Sequence, residues 1–199
     1  YSLLRYGVTF QLAPGEPYQT VHLIDWAHPQ ANDFALAEEV TVAGHYTKRP
    51  DIVLYVNGIA LGVLELKRSS VDVSHGIRQN LDNQTREFIL PFFATVQLVM
   101  AGNDTQGLRY GVIETNEKYA LTWSEEGAAA GDGVRSPLDR ALLQLCAPAR
   151  LLEIIHDFIV FDAGWKKTCR HHQYFGVRAA QERIARREGG IIWHTQGSG

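Results

Sequence analysis

No run of 18 consecutive apolar residues occurs in this sequence, and no signal peptide opens it. Neither mark of a membrane span or of export is therefore present, and a cytoplasmic protein is expected. Cysteine is scarce. Cys146 and Cys169 stand alone, outside any metal-binding spacing, which excludes a disulfide framework and suits a reducing cytosol. There is no Gly-x-Ser-x-Gly elbow and no zincin pattern, so two common hydrolase chemistries lack their markers. Positive charge is not in excess either: 19 Lys and Arg against 22 Asp and Glu give a formal net charge of −3. Contact with nucleic acid would have to come from local basic groups. The candidates are Lys48-Arg49, Lys67-Arg68, Arg78 with Arg86, and Lys166-Lys167 with Arg170. His22, His28, His45 and His156 show no ligand spacing, His171-His172 make a poor chelate, and the four tryptophans read as packing anchors.

What is present is an ordinary globular composition, with 45% hydrophobic and 21% charged residues in 199. That length can bury one sizeable core plus an appendage. The most informative stretch runs from Arg49 to Lys67, where two β-rich apolar runs flank Asn57-Gly58. It reads as a hairpin. Near its open end sit Asp51, Glu65 and Lys67, charges that are costly to bury without a partner. A divalent cation held by two carboxylates is the simplest compensation. Side chains alternate along a strand, so Asp51 must share a face with Glu65 for this to hold. A plain two-residue loop would pair Asp51 with Leu64, on the wrong side. We therefore expect a three-residue loop, Val56-Asn57-Gly58, with Gly58 left-handed and forming a bulge.

The rest of the chain reads as alternating strands and helices. Strands are expected within 3–12 and 18–24, over Phe34–Val42, and over 93–101 as a buried central strand, with two more at 108–114 and 119–123. Helices are expected from Asp72 or Ser74 to about Phe88, over 137–146 and 148–156, and over 173–187, with a Gly- and Ala-rich loop from Glu125 to Pro137. On the first of these helices a wheel puts Ile77, Leu81, Gln84 and Phe88 against the sheet. Gln79 then falls on the opposite, solvated side with His75, Asp82 and Arg86. No internal repeat is found. The first residue is Tyr, so a natural N-terminus upstream is expected.

Pro50-Asp51 followed by Glu65-Leu66-Lys67 resembles the PD-(D/E)xK nuclease signature. The closing residues Gly189-Gly190-Ile191-Ile192-Trp193-His194-Thr195-Gln196-Gly197-Ser198-Gly199 form a strand running into a Gly-rich turn, as a P-loop begins. They closely resemble the helicase motif I region of type I restriction enzyme R subunits. Arg170 to Ala180 looks like the adenine-reading segment of such motors, with Gln173 at the matching position. The resemblance implies an α/β fold: a PD-(D/E)xK restriction-endonuclease-like mixed sheet flanked by helices over residues 1–160. Residues 161–199 would begin a helicase-like ATPase domain, ending within the P-loop.

By the same resemblance, Asp51, Glu65 and the backbone carbonyl of Leu66 hold Mg²⁺. Lys67 orients or helps deprotonate the attacking water, and Gln79 positions water or phosphate. In that family a Gln-x-x-x-Tyr motif follows Glu-x-Lys; here the positions are Gln79 and Asn83, so the tyrosine is absent. ATP would be contacted by Gln173, Gly197, Ser198 and Gly199 in the full-length subunit. The implied partners are double-stranded DNA, cut after ATP-driven translocation, and the methyltransferase and specificity subunits. A non-catalytic DNA-binding or docking module stays open. So does a free-standing nuclease, against which Gln173 and the Thr195–Gly199 segment argue.

Overall fold

A computed structural model describes residues 1–125 and 134–193. Its centre is a five-stranded mixed sheet, ordered β3 (Phe34–Glu38), β4 (Ile52–Val56), β5 (Ile59–Leu66), β6 (Leu98–Asn103), β7 (Gly107–Gly111). All neighbours are antiparallel except β5 and β6, which run parallel. Parallel neighbours need a crossover, and here it carries α2 (Ser74–Asn83) and a 3₁₀ turn at Leu90–Ala94. The opposite face is covered by α3 (Pro137–Leu145) and α4 (Pro148–Asp157). Each of those helices has proline in its first turn, and Ser136 closes a capping box with Asp139 on α3. A helix α1 (Ser2–Tyr6), a small ribbon of β1 (Val8–Phe10) and β2 (Gln19–Val21), a hairpin of β8 (Val160–Asp162) and β9 (Trp165–Lys167), and α5 (His171–Ala185) complete the chain.

The core lies between the sheet and the α3–α4 pair. Leu61, Leu64, Leu98, Met100 and Leu108 pack there against Leu145, Leu152, Ile154 and Ile155. At roughly 1.5–3 kcal/mol per buried large side chain, this layer is the main apolar contribution to stability. Tyr174 of α5 enters the same core and stacks near Trp123 and Phe158, at centroid distances of 5.5 and 4.9 Å.

Several local expectations are corrected. Residues 3–12 do not form one strand: the segment begins as a helix that buries Leu4 and ends at Gly7, whose φ of 85° breaks it. The strand from Phe34 stops at Glu38, because Glu39 turns left-handed at φ 50°. The strand expected over 93–101 begins only at Leu98, because residues 90–94 form a 3₁₀ turn with Pro91 in its first turn, although Phe93 and Val96 are buried as expected. The region 119–123 contributes a single bridge, Tyr110 to Leu121, not a strand. The α2 helix ends at Asn83, short of Phe88. The β8–β9 hairpin was not foreseen. Most of the Glu125–Pro137 loop, residues 126–133, lies outside the described residues.

Candidate active site

The geometry starts at the hairpin. Asn57 and Gly58 have φ of 50° and 76°, so the turn is a two-residue one with both central residues left-handed, and Val56 pairs with Ile59. The expected three-residue loop is therefore wrong. The extra residue lies instead inside β5: Tyr55 pairs with Ala60 but Leu54 with Gly62, leaving Leu61 unpaired as a bulge. The outcome for parity is the same. Ile52 pairs with Leu64, so the next position along puts Asp51 opposite Glu65 on one face. The turn is pinned from outside, since the Asn57 amide accepts from Asp33 N–H at 2.8 Å and donates to Leu23 O at 2.9 Å.

Glu65 is fully buried at the C-terminal end of β5. Its Oε2 accepts from Gln79 Nε2 at 2.6 Å, and Oε1 accepts from Asn83 Nδ2 at 3.5 Å. Lys67 Nζ donates to Gln79 Oε1 at 2.7 Å and stands 3.9 Å from Glu65 Oε2. Asp51 Oδ2 accepts from the Leu66 N–H at 2.7 Å. Burial, with the nearby Asp51 carboxylate adding to it, pushes the Glu65 carboxyl up to about 8, against the pull of Lys67 and Gln79. A carboxyl raised that far is mostly protonated at neutral pH.

Gln79 is thus not on the solvated side that the wheel assigned to it. The stripe of α2 that meets the sheet is Gly76, Ile77, Asn80 and Asn83. Gln84 and Phe88 lie beyond the helix's last residue. The reason is physical: this part of the sheet presents a polar cluster, so polar side chains face it. Gly76 allows the approach. A Cβ there would sit 2.9 Å from the Ala101 Cβ and 3.6 Å from that of Glu65. Asn80 donates to Met100 O at 2.8 Å. Asn83, where a family tyrosine was missing, is itself buried against Glu65, and sequence reasoning gave it no role. Its signal was the i, i+4 spacing from Gln79.

Donor chemistry decides whether a cation fits. Asp51 and Glu65 bring hard oxygen ligands to one face, and the buried Asn83 Oδ1 has no hydrogen-bond partner among the described residues. Among those residues no group of three or more His, Cys, Asp or Glu side chains could hold a metal. Protein ligation would therefore rest on two carboxylates and the Leu66 carbonyl. That set suits Mg²⁺, which retains several waters and takes few carboxylates.

The nucleotide residues stand elsewhere. Gln173 Oε1 accepts from Arg170 N–H at 2.8 Å and caps α5. Gly197, Ser198 and Gly199 lie outside the described residues. Several basic candidates are engaged within the chain: Arg78 with Glu117, Lys167 with Asp162, and Lys166 with Gln97 at 2.5 Å. Burial lowers the Lys166 amine to about 8. No described helix is long and apolar enough to cross a membrane.

Comparison with known proteins gives two family matches: Type I restriction enzyme R protein N terminus over residues 1–118, and SWI2/SNF2 ATPase over residues 172–199. Among individual relatives, the type I restriction enzyme HindI endonuclease subunit of Haemophilus influenzae is 29% identical over 100% of this chain and 21% of the relative. The type I restriction enzyme SsaAORF53P endonuclease subunit of Staphylococcus saprophyticus is 23% identical over 88% of this chain and 19% of the relative. The chain spans about a fifth of the length of these curated relatives.

Proposed function

Since this chain belongs to the type I restriction enzyme R protein N-terminus family, we propose that it is the Mg²⁺-dependent endonuclease domain of a restriction subunit. Its target would be double-stranded DNA, cut after translocation by an ATP-driven motor. The observation that carries this reading is the fully buried Glu65, facing Asp51 and joined through Gln79 to Lys67. A buried carboxyl with a raised pKa beside a second carboxylate is costly unless a cation belongs there.

Asp51, Glu65 and the Leu66 carbonyl would hold Mg²⁺. When bound, the ion would make a water acidic enough to attack and would neutralise charge developing on the phosphate. Gln79 fixes the Lys67 ammonium and the Glu65 carboxyl relative to each other through one amide. Lys67 then has its charge beside the site of attack, where it would orient the water and stabilise the transition state. Asn83 holds the second Glu65 oxygen in place of a tyrosine. Residues 1–160 form the nuclease unit in this reading, and 161–199 lead into the motor, whose ATP contacts would include Gln173, Gly197, Ser198 and Gly199. The methyltransferase and specificity subunits would supply target recognition in a cytoplasmic complex.

The test uses the full-length subunit. Glu65→Ala or Lys67→Ala should cut DNA slower by at least about 10²-fold, with ATP hydrolysis retained. Loss of ATPase in a folded variant would defeat the division of labour. Calorimetry with Mn²⁺ addresses the docking-module alternative: no heat of binding at this site would favour it.

A further inference from the structure

Lys67 and α2 are joined by residues 68–73, a loop whose Arg68, Ser69, Ser70 and Asp72 are exposed. The Lys67 N–H bonds Gly102 O at 2.9 Å, and the Val71 N–H bonds Arg68 O at 2.8 Å. The apolar cluster under α2 is small, with Val73, Ile77 and Ala101 as its buried members. Apolar packing therefore does little to fix the direction in which α2 leaves this loop.

The β6–β7 turn supplies what packing does not. Asn103 lies two residues beyond Ala101 on β6, so its side chain stays on the α2 face of the sheet. It is buried, and both ends of its amide are fully used. Its Nδ2 donates to Val71 O at 2.8 Å and to Gln106 Oε1 at 3.1 Å. Its Oδ1 accepts from the Thr105 and Gln106 N–H groups at 3.1 and 2.6 Å. Gln106 Oε1 also accepts from the Val73 N–H at 2.7 Å, while its Nε2 donates to Asp72 Oδ2 at 2.8 Å. Thr105 Oγ1 donates to Ser69 O at 3.3 Å. Asp72 Oδ1 in turn accepts from the Ser74 N–H at 2.8 Å, at the start of α2. Bonds from Ser74, then from Gln106, hold the Asp72 carboxyl well below the usual carboxylate range, so it stays ionised.

We propose that Asn103 and Gln106 are positioning residues for the Glu65 cluster, locking the 68–73 loop so that α2 presents Gln79 between Lys67 and Glu65. The proposal rests on the nuclease reading for what that cluster does; the latch itself is independent of it. Lys67 stands at one end of the loop and α2 carries Gln79 away from the other. One amide closes the circuit, 2.7 Å from Lys67 Nζ and 2.6 Å from Glu65 Oε2. Those bonds weaken steeply with distance and angle, so a small swing of α2 breaks them. A free loop would let the helix sample many directions, and bonds to Ser69, Val71, Asp72 and Val73 remove that freedom.

The test exchanges donor and acceptor in one pair. Gln106→Glu alone sets two carboxylates against each other, whereas Gln106→Glu with Asp72→Asn reverses the roles and rebuilds the bond. In this chain, NMR reads the Gln79 side-chain amide and the exchange of the Val73 and Ser74 N–H groups. The single variant should speed that exchange about tenfold or more and displace the Gln79 resonance. The paired variant should return both to the parent values. Gln106→Met, which removes the bonds without adding charge, takes the place of Gln106→Glu if that variant does not fold. Faster Val73 exchange with an unmoved Gln79 resonance overturns the proposal. So does unchanged Val73 exchange in the single variant, or a paired variant that leaves Gln79 displaced. In the full-length subunit, the single variant should cut DNA about 10²-fold slower at saturating DNA and metal. The half-saturating concentrations should hold, and the pair should recover the rate. Undiminished cleavage with a displaced Gln79 also overturns the proposal. A parent subunit that cuts no DNA defeats the nuclease reading instead, and the Gln79 resonance still decides the latch.

Discussion

On the side of the sheet turned toward α3 and α4, Leu61, Leu64, Leu98, Met100 and Leu108 meet Leu152, Ile154 and Ile155 in an apolar layer. On the side turned toward α2, buried positions include Glu65, Asn80 and Asn83, next to a small cluster of Val73, Ile77 and Ala101. The first face gains from every atom it buries. The second holds a carboxyl that burial makes unwilling to ionise, and two asparagine oxygens without hydrogen-bond partners among the described residues. Stability is built on one face so that the other can carry groups that cost stability.

The contrast can be broken most forcefully on the apolar side. Leu152→Ala should lower the unfolding free energy by about 2–5 kcal/mol, read by urea denaturation with the slope unchanged. A loss under about 1 kcal/mol would show that the layer is looser than its burial indicates.

The polar face should answer to pH instead. Glu65 keeps its proton when folded up to about pH 8, whereas an ordinary glutamate releases it near 4.5. Between those values the folded chain binds the extra proton, so metal-free stability should fall as pH rises through this window. Cation affinity should run the other way, rising by up to about tenfold per pH unit as the competing proton becomes easier to remove. Thermal melts with EDTA and with Mn²⁺ at pH 5.5 and 7.5 give both slopes. Parallel slopes would mean that Glu65 is ionised without a metal.

A gentler change sharpens the comparison at the helix. Gly76→Ala places a methyl 2.9 Å from the Ala101 Cβ, at a cost of about 1–3 kcal/mol. It should also lift α2 from Glu65, weakening the Gln79 bond and flattening the pH dependence above. An alanine variant with unaltered pH slopes would dissociate the close approach from the site.

The sequence made the apolar side legible and the polar side only in part. Strand–turn–strand chemistry around Asn57-Gly58 was readable because alternation and turn residues speak directly of backbone. The bulge was expected at the turn but lies at Leu61, since one apolar residue among apolar neighbours carries no signal of being unpaired. The α2 face was read only in part: Ile77 and Leu81 lie on the sheet side as expected, but a wheel counts apolar residues alone, and Gly76, Asn80 and Asn83 meet the sheet as well. Arg109 of β7, which shares the Glu65 face two strands away, drew no notice, since strand order and register follow from long-range pairing.

The Leu61 bulge also sets rules for how such a gene can drift. Substitutions between Asp51 and Glu65 leave the count of residues unchanged and so leave the two acids facing the same way. Deleting one codon from β5 would turn Asp51 toward the apolar layer while every letter of the motif survived. A second single-codon change between the two acids would restore the alignment. Length in this hairpin should therefore vary by compensated pairs of events, and a motif search that permits any spacing will accept chains whose two carboxylates cannot meet.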